Sequence, residues 1–222
     1  MNETENYCSI CGNGSSPFKS YGGRTGVLCP VCGSLERHRL IWHVVSRECR
    51  LSEDVSFLHF APEQCFYDKL AVSGIKYFPV DINPERFKNA CTHMNATDIT
   101  FPDESMDIVM ANHLLEHIPD DIKAMKEFFR VLKNGGIAVL TVPVKLGNEK
   151  TYEDFSITDP QEREKAFGQS DHVRWYGRDF TDRLKRAGFY IEEFFAKDCL
   201  SDSEIRRQVI DRSPVYICRK RI

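Results

Sequence analysis

Cys8-Ser9-Ile10-Cys11 and Cys29-Pro30-Val31-Cys32 form two C-x-x-C pairs separated by residues 12–28. Two such pairs at this separation have the ligand type and spacing of a tetrahedral four-cysteine zinc site. Gly12 and Gly33 follow the pairs and would let the backbone curl round a metal. Four thiolates leave no coordination position free, so zinc held by Cys8, Cys11, Cys29 and Cys32 would be structural. The competing readings are two redox dithiols or a pair of disulfides. A cytosolic redox C-x-x-C normally sits at a strand-to-helix turn, and no such pattern precedes Cys8. Cys49, Cys65, Cys91, Cys199 and Cys218 are scattered and read as reduced core thiols.

A second group of polar residues stands just after apolar runs. Ala61-Pro62-Glu63-Gln64 follows Val55–Phe60, and Asp81-Ile82-Asn83 closes the run from Lys76. Asp98-Ile99 follows a short stretch, and Asn112-His113-Leu114 follows Met106–Ala111. A carboxylate accepts two hydrogen bonds side by side, which suits a vicinal diol. Asp81 stands 20 residues after Ala61, the offset at which an acid reaches ribose hydroxyls in nucleotide-binding folds. The competing reading is that Asp81 caps the turn that follows it, and Asp98 carries a similar ambiguity. His113, at a strand end, and His172, within Asp171-His172-Val173-Arg174, are imidazoles able to exchange a proton near neutral pH. Each reads equally as a packing or loop-anchoring histidine. His117 reads as structural. Arg174 reads either as a clamp for phosphate or carboxylate or as a partner of Asp171.

The elements that would carry these residues alternate. Ser34 can cap a helix running to about Arg47, with Leu40, Ile41, Val44 and Val45 as its apolar stripe. Its other face bears Arg37, His38, Arg39 and Arg47, either as a solvated surface or as a contact for an anionic partner. Pro62 opens a second helical stretch reaching about Val72. Pro119-Asp120-Asp121 opens a third, with Ile122, Met125, Phe129 and Leu132 on one face and Asn134-Gly135-Gly136 as its stop. Ile137–Val142 is an uncharged strand, as expected where both faces are covered. Residues 144–172 are polar and irregular, the profile of a lid or substrate loop. A helix from about Arg178 to Arg186, then Tyr190–Ala196 and Val215–Arg219, suits a closing antiparallel pair. Strand–helix alternation of this kind predicts an α/β fold with an open parallel sheet, whose ligands bind at the carboxyl ends of the strands.

Length and charge narrow the functions. The 222 residues suffice for one α/β domain and a small appendage. Thirty basic residues against 33 acidic ones give −3, which lends no support to a general nucleic-acid or membrane binder. No apolar run reaches the roughly 18 residues of a membrane span. The opening MNETENYCSICG has neither a basic nor an apolar leader region, so the expected location is cytoplasmic. No G-x-G-x-x-G follows the first strand, which disfavours a dinucleotide, and no G-x-x-x-x-G-K-[ST] is present.

Residues 55–198 resemble a class I S-adenosylmethionine-dependent methyltransferase of the broad type 11 group. Phe101-Pro102-Asp103-Glu104-Ser105-Met106-Asp107-Ile108-Val109 is similar to that family's FPD-x-S-F-D-hydrophobic run. Leu115-Glu116-His117-Ile118 resembles its L-E-H-[IV] element, and Arg130-Val131-Leu132-Lys133-Asn134-Gly135-Gly136 its R-V-L-K-P-G-G turn, with Asn for Pro. The four-cysteine element leading into Gly33-Ser34-Leu35-Glu36-Arg37-His38-Arg39 resembles a zinc-ribbon-bearing subgroup. So do His59-Phe60-Ala61-Pro62-Glu63 and Asp171-His172-Val173-Arg174-Trp175-Tyr176-Gly177.

The resemblance implies a Rossmann-like sheet of seven strands, the last antiparallel, with helices on both faces. It implies that Phe60-Ala61-Pro62 stands where a glycine-rich loop holds the methionine part of S-adenosylmethionine. By the same token Asp81 would take the ribose hydroxyls, Ile82 would lie beside the adenine, and Asp98 and Ile99 would lie at its edge. Asn112 and His113 would stand by the methyl group. Ala61 and Pro62 depart from the family's glycines and predict an altered cofactor loop. The expected organisation is a zinc-ribbon element over 1–34, a linking helix over 35–50 and a methyltransferase domain over 51–222. The expected acceptor is a small molecule or sugar. The alternatives are an RNA acceptor held by the zinc element and basic helix, and a non-catalytic zinc-containing binding module. The oligomeric state is left open.

Overall fold

The computed structural model describes residues 6–221. Residues 1–5, over which the sequence predicts no leader, and Ile222 lie outside the described residues. In chain order the elements begin with β1 (Lys19–Tyr21), β2 (Arg24–Leu28), α1 (Glu36–Glu48), β3 (Ser56–Phe60) and α2 (Gln64–Leu70). Next come β4 (Lys76–Asp81), β5 (Thr92–His93), β6 (Met106–Asn112), α3 (Asp121–Val131) and β7 (Leu132–Thr141). The remainder is β8 (Tyr152–Glu153), α4 (Pro160–Phe167), β9 (Arg174–Trp175), α5 (Phe180–Arg186), β10 (Tyr190–Phe194), α6 (Ala196–Cys199), α7 (Asp202–Gln208) and β11 (Val215–Arg219). Short 3₁₀ turns cover Pro84–Arg86 and Leu115–His117. The chain divides into two compact units. Among the described residues one comprises 6–55, 62–77 and 193–215, the other 56–61, 78–192 and 216–221.

The main sheet has seven strands in the order β10-β11-β7-β6-β3-β4-β5. Strand β3 runs parallel to β6, β6 to β7 and β4 to β5, and β11 runs antiparallel to β7. This is the Rossmann-like sheet of class I methyltransferases. The order reverses between β3 and β6, so the crevice outside their carboxyl ends is the place for a ligand. Leu58, Val109, Ala138 and Leu140 are fully or almost fully buried, which accounts for strands without alternating polarity.

Several local expectations shift. Helix α1 starts after Leu35, and the Ser34 hydroxyl lies 3.2 Å from the sulfurs of both Cys8 and Cys32 instead of capping the helix. Leu40, Ile41, Val44 and Val45 form the buried stripe as expected. Arg39 does not lie on an open basic face: it is fully buried. Its Nε donates to the Gln208 carbonyl at 2.5 Å, and its other nitrogens donate to the carbonyls of Ser34, Val27 and Val209 at 3.0–3.1 Å.

Helix α2 begins at Gln64, not at Pro62. Helix α3 ends at Val131, before Asn134-Gly135-Gly136, because the carbonyls of Arg130 and Val131 accept from Glu104 N and Ser105 N. Its buried side is Ala124, Met125, Phe128 and Val131, one residue round from the expected stripe. Gly136 lies inside β7, where a Cβ would sit 2.8 Å from the Lys133 carbonyl oxygen. Asp120 caps α3 by accepting from Lys123 N at 3.0 Å. Among the described residues no helix is long and apolar enough to cross a membrane.

Candidate functional site

In the first unit the sulfurs of Cys8, Cys11, Cys29 and Cys32 all lie within 4.8 Å of one another. Cys8 and Cys32 sulfurs are 3.6 Å apart, and Cys11 and Cys29 sulfurs 3.7 Å. A zinc with four bonds of about 2.3 Å needs sulfur–sulfur edges of about 3.8 Å. The donor set therefore fits a tetrahedral zinc. Hydrogen bonding from Cys32 pulls the Cys8 thiol well below its ordinary value, with the Ser34 hydroxyl adding to it, so a thiolate is favoured there.

In the second unit a cavity of about 430 Å³ opens at the carboxyl ends of the strands. Phe60 at the end of β3, Asp81 and Ile82 at the end of β4, and Met94–Thr97 after β5 form part of its lining. Leu114, His117, Ile118, Pro119 and Asp120 complete it. The lining is largely apolar, with few polar groups, and its size is that of a small-molecule site. Asp81 is 7% exposed, and its Oδ1 accepts from Asn83 N at 2.8 Å. It therefore caps its turn with one oxygen, and it is also one of the residues lining the cavity. Ile82 is exposed beside it.

The structure brings together Phe60, Asp81 and Ile82 of the sequence-predicted residues. Ala61, Asp98, Ile99, Asn112 and His113 are not among the cavity's lining residues. Ala61 follows Phe60 directly with a left-handed φ of 47°, and its N–H donates to the Val80 carbonyl. Asp98 is exposed, whereas Ile99 is buried with its N–H donated to Glu127 Oε2. Asn112 is buried and accepts from the Thr141 hydroxyl at 3.2 Å. His113 also has a left-handed φ, 49°, and its Nδ1 lies 3.2 Å from Glu116 Oε1.

His117, read from sequence as structural, lines the cavity. Its Nδ1 is 3.2 Å from the Asp171 carboxylate, and its ring meets His172 edge to face with centroids 4.7 Å apart. His172 is buried, with Nδ1 3.2 Å from the Phe167 carbonyl. Burial pushes its pKa below the ordinary imidazole value, against the pull of Glu116. The clue to His117 was its place within three to five residues of the β6 end, the zone from which lining residues come.

Arg174 does not reach into the cavity. It is fully buried, donating to the Leu115, Ile118 and Pro119 carbonyls at 2.5–2.8 Å and to Glu153 at 2.9 Å. Neither clamp nor Asp171 partner, it holds the turn from which Leu114, His117 and Ile118 face the cavity. Asp121, also buried, is held by Arg183 at 2.6 and 2.8 Å and by the Tyr176 hydroxyl at 2.7 Å.

Comparison with known proteins agrees with this architecture. Residues 64–140 match a family model described as a methyltransferase domain. An uncharacterized methyltransferase of Mycobacteroides abscessus is 28% identical over 126 residues, 51% of this chain and 46% of the relative. A probable S-adenosylmethionine-dependent methyltransferase of Mycolicibacterium smegmatis is 26% identical over 129 residues, 57% of this chain and 42% of the relative. The chain thus spans about half the length of the curated relatives it matches. The solved structure of an S-adenosylmethionine-dependent methyltransferase from Mesorhizobium loti aligns with a TM-score of 0.56 and 14% identity, covering 80% of this chain and 95% of that one. The fold is that of the class I methyltransferases, and the sequence match to their domain runs from residue 64 to residue 140.

Proposed function

We propose that this chain is an S-adenosylmethionine-dependent methyltransferase acting on a small-molecule or sugar-type acceptor, with one structural zinc on Cys8, Cys11, Cys29 and Cys32. The observation that carries it is the placement of Asp81 and Ile82 beside Phe60 in a cavity at the switch point of a methyltransferase sheet. In this reading Asp81 accepts from the ribose hydroxyls and Ile82 covers the adenine. Phe60 and Ala61 bound the methionine part, Asp98 and Ile99 lie towards the adenine edge, and Asn112 and His113 mark the methyl end. S-adenosylmethionine supplies a methyl group already activated on a sulfonium. The chain's own task is to hold acceptor and donor about 3 Å apart in line. His113 and His172 are the candidates to take a proton from an acceptor that must lose one.

The small-molecule class is favoured over RNA because Arg39, one of the three arginines of the proposed basic face, is buried on backbone carbonyls. We place the chain in the cytoplasm, where its nine cysteines would stay reduced. Calorimetric titration with S-adenosylhomocysteine tests the reading. Micromolar binding is expected, weakened in Asp81→Ala by about 1–3 kcal/mol as the hydroxyls lose a charged acceptor. No binding by a folded, zinc-loaded protein overturns it in favour of a non-catalytic module.

A further inference from the structure

Glu116 is fully buried, and its Oε2 has no hydrogen-bond partner. Its Oε1 is the atom 3.2 Å from His113 Nδ1. A carboxylate oxygen of Glu116 and ring nitrogens of His117 and His172 lie within 4.8 Å of one another. An anion taken out of water without a partner for one of its oxygens is costly, and a cation is the partner that its surroundings suit.

The two histidines are arranged as ligands usually are. Metal-bound imidazole places its second ring nitrogen on a carboxylate or a backbone carbonyl, which fixes the tautomer and the ring orientation. His117 Nδ1 stands on Asp171 and His172 Nδ1 on the Phe167 carbonyl, each at 3.2 Å. Nε2 of each ring is then the nitrogen left to ligate. Backbone bonds hold the cluster as well: Val173 N donates to the Glu116 carbonyl at 3.0 Å, and Arg174 grips Leu115 and Ile118 on either side.

We infer that Glu116, His117 and His172 form a site for one divalent first-row cation, separate from the four-cysteine cluster, with His113 and Asp171 as its supporting shell; a ligating His172 has no nitrogen left to take a proton, so His113 is then the candidate base. The two imidazoles suit borderline ions such as Co²⁺ or Ni²⁺, while the carboxylate and open positions also admit the harder Mn²⁺. Three protein donors leave coordination positions open. Because His117 also lines the cavity, the cation would border the space where an acceptor binds. It would favour acceptors carrying hydroxyl or carboxylate oxygens. That statement about the acceptor rests on the methyltransferase reading, whereas the cation site does not.

The test is titration of the zinc-loaded chain with Mn²⁺ followed by electron paramagnetic resonance, and with Co²⁺ and Ni²⁺ followed by calorimetry. At least one of these metals is expected to bind at one equivalent beyond the cysteine-held ion. His117 is only partly buried, so His117→Gln is expected to stay folded and to weaken that binding by about tenfold or more. Glu116→Gln should do the same. If none of the three metals binds, or if binding is unchanged in folded His117→Gln, the site does not exist. S-adenosylhomocysteine titration of the same samples separates this outcome from failure of the methyltransferase reading.

Discussion

Arg130 Nη1 and the Asp103 carboxylate lie 2.7 Å apart, joining two of the motifs that resemble the methyltransferase family. The same guanidinium donates to the carbonyls of Phe101 at 3.0 Å and Ile99 at 2.7 Å, while Glu127 holds it at 2.7 and 2.8 Å. The FPD run and the R-V-L turn are therefore two halves of one brace beneath the loop leading to β6.

This brace has a pH signature. The hydrogen bond from Arg130 holds the Glu127 carboxyl below its ordinary value. A group whose folded pKa is depressed stabilises the fold above its unfolded pKa of about 4.3, and that stabilisation is lost as pH falls through the folded value. Glu127→Gln should flatten the acid limb of the stability–pH curve in urea titrations. Arg130→Ala should cost about 2–3 kcal/mol at neutral pH.

Arg174→Lys should not replace Arg174. An ammonium cannot span three carbonyls and a carboxylate with the fixed fork of a guanidinium. We expect a loss of about 2–4 kcal/mol in chemical denaturation, from buried acceptors left unpaired. Weaker S-adenosylhomocysteine binding should accompany it, because the Leu115–His117 turn loosens. Unchanged stability would mean that water replaces the guanidinium without cost.

Arg39→Leu should destabilise the chain by a similar amount, about 2–4 kcal/mol, since four backbone carbonyls lose their donors. An RNA-binding role for this residue would instead leave stability unchanged and reduce RNA affinity in filter binding.

Metal analysis of chelator-washed protein should find about one zinc per chain, and Cys11→Ser should lose it. Hydrogen exchange over residues 7–34 should rise sharply in that variant, because a site of this kind contributes its binding energy to local folding. Far less than one equivalent in the parent chain would remove the zinc.

Strands β4 and β11 have the bounds expected from their sequences, because an apolar run closed by a charge marks a strand end directly. Helices α6 and α7 are too short to show an apolar period, although Ser201 and Glu204 form a capping box around the start of α7. The buried roles of Arg39 and Arg174 were not readable at all. Their partners are mostly backbone carbonyls, which carry no residue identity, so sequence shows the charge and not what satisfies it. His117 escaped for a related reason: the 3₁₀ turn over Leu115–His117, not any periodicity, aims it at the cavity. The four cysteines and Asp81 stand out in the sequence because the chemistry proposed for them depends on residue type and spacing along the chain.

Ala61 and His113 follow Phe60 and stand beyond Asn112 at the ends of neighbouring parallel strands, both in the left-handed region that glycine would occupy freely. Holding a side chain there costs of order 1 kcal/mol in the folded state. In return, the backbone beside the cavity has fewer conformations to lose when a ligand arrives. Ala61→Gly is therefore expected to relieve strain yet to bind a ligand in the neighbouring cavity more weakly and with a larger entropic penalty.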